Sequence, residues 1–149
     1  MNLVRLIYTS RFTKNMDAKQ LKAIADVSRR NNARKGITGV LCYAPGLFLQ
    51  CLEGPRAAVN ELYGKIVNDT RNKDVTLLDY ADIDERVFEK WSMAYVRAND
   101  LTESLITKYG AGKSFDPYAM TARQALGFVR RLVDEQERFL ESIKRQSVV

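Results

Sequence analysis

The chain has 149 residues, 46% of them hydrophobic and 28% charged, which is ordinary for a globular protein and enough for one domain with a real core. Its net charge is +6 and it has no histidine, which removes Ser-His-Asp and Cys-His nucleophile systems and nearly every zinc or haem arrangement, so no metal site is expected. No apolar stretch approaches the ~20 residues that span a bilayer, and Arg5 interrupts the short apolar run at the N-terminus, so neither a membrane span nor a signal peptide is expected.

Leu3–Thr9 reads as a strand with Val4, Leu6 and Tyr8 on one face. Arg11–Asn15 reads as a polar loop. A helix then starts at Met16-Asp17: Asp17 can cap, Gln20 can reach back, and Met16 can staple against Leu21. Leu21, Ile24, Ala25 and Ser28 form one stripe of that helix. It is expected to stop near Asn31-Asn32, before Gly36, because Asn tolerates left-handed geometry.

Ile37–Tyr43 and Leu47–Leu52 read as strands joined through the turn Ala44-Pro45-Gly46. Cys42 and Cys51 fall within these strands and read as small core residues, which fits a reducing cytoplasm. Gly54-Pro55 marks the next boundary, with Pro55 suited to the first turn of a helix. That helix shows Val59, Leu62, Tyr63 and Ile66 on one face and runs to about Arg71. Val75–Ile83 and Trp91–Arg97 read as two further strands. A shorter helix is expected at Asp100–Tyr109, with Gly110–Pro117 as a linker. The capping box Thr121-Ala-Arg-Gln124 then opens a long helix over 121–143, with Ala122, Ala125, Leu126, Val129, Leu132 and Val133 at helical spacing.

The order β-α-β-β-α-β-β predicts an α+β, ferredoxin-like sheet. The third strand is apolar on both faces, with Phe48, Gln50 and Leu52 on one and Leu47, Leu49 and Cys51 on the other. Two helices cover only one face, so the C-terminal helices are expected on the second. Residues 1–97 are read as the core domain and 98–149 as a helical extension packed on it.

The charge is uneven. Residues 1–36 hold nine Lys or Arg and two Asp, so the basic excess lies on the first strand and helix. A nucleic-acid surface is one reading. The preferred one is a solvated helix face that also favours an anionic ligand tail, since no aromatic interleaving or nucleic-acid motif accompanies the charge.

Gln50 sits inside the apolar run Gly46-Leu-Phe-Leu-Gln-Cys-Leu-Glu53. Burying an unpaired amide costs roughly 1–3 kcal/mol, so something polar should meet it inside the fold. Tyr8, at the end of a similar run, and Asn31-Asn32 are two further polar groups in apolar settings. Three such groups point to one shared ligand.

Arg5-Leu-Ile-Tyr8, Arg30-Asn-Asn32, Gly36-Ile-Thr-Gly39, Phe48-Leu-Gln50, Leu52-Glu-Gly54 and Trp91-Ser-Met93 follow one another across residues 1 to about 96. With these pieces the chain resembles a BLUF domain, the blue-light sensor family that uses flavin. The resemblance implies a photoreceptor, not an enzyme, with noncovalent FAD or FMN held between the first two helices. It implies that Tyr8 donates an electron to the excited flavin and that a proton follows through Gln50. The pair recombines with Gln50 rotated or tautomerised, and the changed hydrogen bonds shift the flavin spectrum slightly to the red.

The same resemblance places Asn31 and Asn32 on the pyrimidine edge of the ring and Ile24 and Ile66 on its faces. Ser28 and Phe48 complete the cofactor-binding set there. Lys65 and Asp69 are four apart, which alone would mean an exposed pair worth roughly 0.2–0.5 kcal/mol. In the family this stretch approaches the ribityl and phosphate part of the cofactor, usually with Arg where this chain has Lys65. Lysine keeps the charge but loses the bidentate geometry, and Arg29 and Arg30 are candidates to compensate. Trp91 and Met93 are implied to relay the signal outward. A separate downstream protein and a homo-oligomer are the implied partners. The rival readings are a flavin enzyme and a ligand-free interaction module. Against the enzyme stand the missing histidine and the lack of paired carboxylates or a Gly-rich phosphate loop.

Overall fold

The computed structural model describes residues 2–13, 16–90, 93–97, 103–109 and 114–147. Its elements are β1 (Leu3–Phe12), α1 (Ala18–Lys35), β2 (Thr38–Ala44), β3 (Leu47–Pro55), α2 (Arg56–Asn68), β4 (Asn72–Asp82), β5 (Ala94–Arg97), α3 (Glu103–Tyr109) and α4 (Ala122–Ser147), with a short 3-10 turn at Pro117–Ala119. The strands form one sheet in the order β4-β1-β3-β2-β5. Every pairing is antiparallel except β2 with β5. This is the expected α+β order.

The boundaries differ where non-local pairing or a glycine decides them. β1 continues to Phe12 because Arg11 pairs with Leu47 and Phe12 with Asn72. Asn31 and Asn32 do not stop α1. The helix runs on to Lys35, and Gly36 takes the left-handed C-cap position at φ 71°, which it adopts without a Cβ clash. Pro55 is the residue before α2 and not part of its first turn, and α2 ends at Asn68. The other start signals act as read: Asp17 and Gln20 form a reciprocal box, as do Thr121 and Gln124.

The sheet carries two cores. On one face Val4, Leu6, Leu41 and Leu52 pack with Leu21 of α1, Ile37 and Val59 of α2. On the other, Ile7, Val40, Leu49, Cys51 and Val96 pack beneath Leu105 and Ile106 of α3 and Ala125, Phe128, Val129, Leu132 and Val133 of α4. The tail therefore covers the second face, because that face of β3 is as apolar as the first.

Two backbone features fix how α1 sits on the sheet. Ile37 N–H donates to the Asn32 carbonyl at 2.9 Å. A Cβ built on Gly54 would stand 3.0 Å from the Gly36 carbonyl oxygen and 3.3 Å from Ile37 Cα, so the end of α1 meets β3 main chain to main chain.

Candidate functional site

A pocket opens between α1 and α2 on the first face. Tyr8, Leu41, Phe48 and Gln50 of the strands form its floor, Ile24, Ser28 and Asn32 of α1 one wall, and Leu62 and Ile66 of α2 the other. Lys65, Asp69 and Arg71 stand at its mouth. The helical spacing of 24, 28 and 32 brings these three residues to one side of α1.

Tyr8 and Gln50 are directly opposed partners in the β1–β3 ladder. The Tyr8 hydroxyl donates to Gln50 Oε1 at 2.5 Å. Gln50 Nε2 donates to Met93 Sδ at 3.3 Å, a weak acceptor for a buried amide. All three side chains are buried. Burial pushes the Tyr8 phenol far above its ordinary range, and the charges of Tyr63 and Asp69 push the same way. Tyr8 is therefore held neutral, with its proton committed to Gln50.

Asn32 is 2% exposed, and its side-chain amide has no hydrogen-bond partner among the described residues. An orphaned buried amide in a cleft wall is the sign of a missing ligand. Asn31 is exposed and outside the lining. The structure thus brings one of the two asparagines to the pocket and turns the other to solvent.

The mouth differs from expectation too. Lys65 pairs with Glu61 at 3.4 Å, not with Asp69. Asp69 lies past the end of α2, where Arg71 grips it at 2.6 Å through Nη2 and at 3.1 Å through Nε. Those hydrogen bonds hold the Asp69 carboxyl below its usual range. Arg29 does not face the mouth; its Nε donates to the Met93 carbonyl at 2.8 Å and Nη1 reaches Asp26 at 3.4 Å. Arg30 is exposed and also outside the lining. Trp91 lies outside the described residues. Sequence reasoning missed Arg71 and the Arg29–Met93 link. Arg71 had a signal, an Asp-x-Arg spacing in the turn after α2, whereas the Arg29 link is visible only in three dimensions.

These groups fit a flavin by their chemistry. The aliphatic walls Ile24 and Ile66 suit a flat ring. The Asn32 and Gln50 amides suit its alternating carbonyl and N–H edge, and Lys65 and Arg71 suit an anionic tail.

Residues 3–94 match the family model of sensors of blue light using FAD. The chain belongs to the BLUF family. Over 92 residues it is 42% identical to photoactivated adenylate cyclase subunit beta of Euglena gracilis, covering 61% of this chain and 11% of that one. The BLUF chain thus spans about a tenth of the length of such curated relatives. The photo-activated state of BlsA matches its fold with a TM-score of 0.79 at 37% identity, over 87% of this chain and 94% of that one. The dark state of BlrB, a BLUF protein, matches with a TM-score of 0.75 at 30% identity, over 91% of this chain and 97% of that one. The chain is therefore built on a flavin-using blue-light sensor, a domain type that is not itself an enzyme. No helix among the described residues is long and apolar enough to cross a membrane.

Proposed function

We propose that Tyr8 and Gln50 are the photoactive pair of this sensor and that Met93 is the first group to register a change in Gln50. The observation that carries this reading is the buried chain of contacts from Tyr8 Oη to Gln50 Oε1 at 2.5 Å and from Gln50 Nε2 to Met93 Sδ at 3.3 Å. A bound flavin supplies light absorption and one-electron redox chemistry. Asn32, Ser28, Ile24, Ile66 and Phe48 hold its ring, and Lys65, Asp69 and Arg71 meet its ribityl and phosphate tail, in FAD or FMN. Asn31 has no part in this set.

Tyr8 keeps its proton in the dark because burial opposes a phenolate. Transfer of an electron from the phenol to a bound, photoexcited flavin would reverse that preference, and the short bond gives the phenol proton one destination, Gln50 Oε1; on recombination the electron and the proton would both return to Tyr8. A half-turn of the Gln50 amide then exchanges its oxygen and nitrogen. The Met93 sulfur loses its N–H donor, so the side chain must shift while its backbone stays tied to Arg29 through the carbonyl. A buried network has few satisfied states, so one change forces the next.

Residues 98–149 form an extension packed on the same domain, and the output passes through it or the sheet edge to a separate partner. We place the protein in the cytoplasm as a homo-oligomer. Flavin-loaded protein should be yellow, shift reversibly to the red under blue light, and lose that shift in Tyr8→Phe. A colourless protein after FAD loading, or a normal shift in Tyr8→Phe, would sink the proposal.

A further inference from the structure

β4 and β5 lie at opposite edges of the sheet, so the chain leaving Asp82 must pass β1, β3 and β2 before Ala94. Residues 83–90 make this passage without helix or strand. Backbone N–H groups buried in such a segment need partners. Glu53 supplies them. Its carboxylate is fully buried. Oε1 accepts from the N–H of Val87 at 3.0 Å and of Phe88 at 2.7 Å. Oε2 accepts from Arg5 Nη2 at 2.9 Å and Nε at 3.1 Å. Arg86 Nη1 adds bonds to the Glu53 carbonyl at 3.2 Å and to Thr38 Oγ1 at 3.0 Å.

Glu53 follows Gln50 by three positions on β3, so it points to the opposite face of the sheet. Phe88 sits in the core beneath α4, whereas Met93, five residues on, sits in the core of the pocket face. Glu53 thus fastens the chain at 87–88, and Gln50 meets Met93, five positions past Phe88 in the sequence.

We infer that Glu53 is a positioning residue of the photoresponse: by fixing residues 86–88 on β3 it sets where Met93 stands against Gln50. The inference rests on the reading of Gln50 as the switch. The barrier for return from the lit arrangement includes moving Met93 past groups held in place. Loosening the clamp lowers that barrier and speeds dark recovery.

The test uses the full flavin-loaded chain. Glu53→Gln keeps the shape but turns part of the acceptor into an N–H donor facing other donors. Arg86→Met loosens the same spot and leaves no buried charge unpaired, so it carries the test if Glu53→Gln does not fold. Flavin content should be unchanged in both, because Glu53 faces away from the pocket. Dark recovery should quicken about five- to tenfold in Glu53→Gln, the scale of one weakened hydrogen bond to a charged group, and less in Arg86→Met. In a Met93→Leu background the effect of Glu53→Gln should shrink to below about twofold, since coupled sites are non-additive. Wild-type recovery in the clamp variants, or an undiminished effect without Met93, would overturn the inference. A wild type with no light shift would instead sink the switch on which it stands.

Discussion

Asn32→Ala separates a ligand contact from a structural asparagine by acting with opposite sign on the two states of the protein. Without flavin, the wild-type side chain is an almost fully buried amide with no hydrogen-bond partner among the described residues. Alanine removes that orphan and is the better helix former by roughly 0.5 kcal/mol, so the flavin-free variant should be at least that much more stable. With flavin, the same substitution leaves ring groups unpaired in a buried site, at about 1–3 kcal/mol for each. At 1.4 kcal/mol per decade, affinity should fall about five- to 150-fold. Asn31→Ala is the internal control: that side chain is exposed, and its affinity should stay within about twofold of wild type. Flavin fluorescence titration reads the affinity, and urea unfolding of the flavin-free proteins reads the stability. Unchanged affinity in Asn32→Ala, or a flavin-free variant that is less stable, would refute the assignment. A loss at Asn31 as large as that at Asn32 would show that the two share the ring.

Gln50→Leu should keep the flavin but abolish the red shift, because no amide remains to reorganise; a wild-type shift with normal recovery would exclude Gln50 as the switch. Phe128→Ala should destabilise the fold by about 3–5 kcal/mol in urea unfolding, because Phe128 is fully buried at the centre of the α4 packing. A cost below about 1 kcal/mol would mean that α4 is not needed by the sheet. Deleting 137–149 should leave flavin and photocycle intact, since the buried residues described in α4 end at Val133, while altering assembly or partner binding. Deleting from 121 strips Leu49 and Cys51 of their cover and should unfold the domain; the opposite pattern of outcomes would contradict the division of the tail.

The order of elements and the side each strand face takes were readable in the sequence, because period and alternation report burial directly. Alternation grouped Tyr8 with Val4 and Leu6 and Gln50 with Phe48 and Leu52, but left open whether the two groups share a side; the β1–β3 ladder decides it by setting Tyr8 opposite Gln50. What escaped depends on rotation or on distant partners. With about 3.6 residues per turn, positions 31 and 32 both continue the stripe through Ser28, and only the packed helix decides that 32 faces inward. Lys65 and Asp69 look paired on paper, but α2 ends at Asn68 and releases Asp69 to Arg71. Glu53 read as the residue just past a strand, since the three residues that its carboxylate bonds, Arg5, Val87 and Phe88, lie 34 to 48 positions away.

The close meeting of Gly54 with Gly36 and Ile37 gives the pocket a fixed gauge. Asn32 lies four residues before Gly36, and Gln50 lies four before Gly54, so the gap between the two amides is cut by main-chain atoms that no rotamer can relax. Substitutions along the lining can recolour the cleft without widening it at this end. Any larger side chain at 54 would prise α1 away and set both amides off their mark together. Tolerance for different flavin tails is thereby confined to the far end, around Lys65 and Arg71, where long side chains can swing. The light-sensitive end is machined to one size while the mouth stays adjustable.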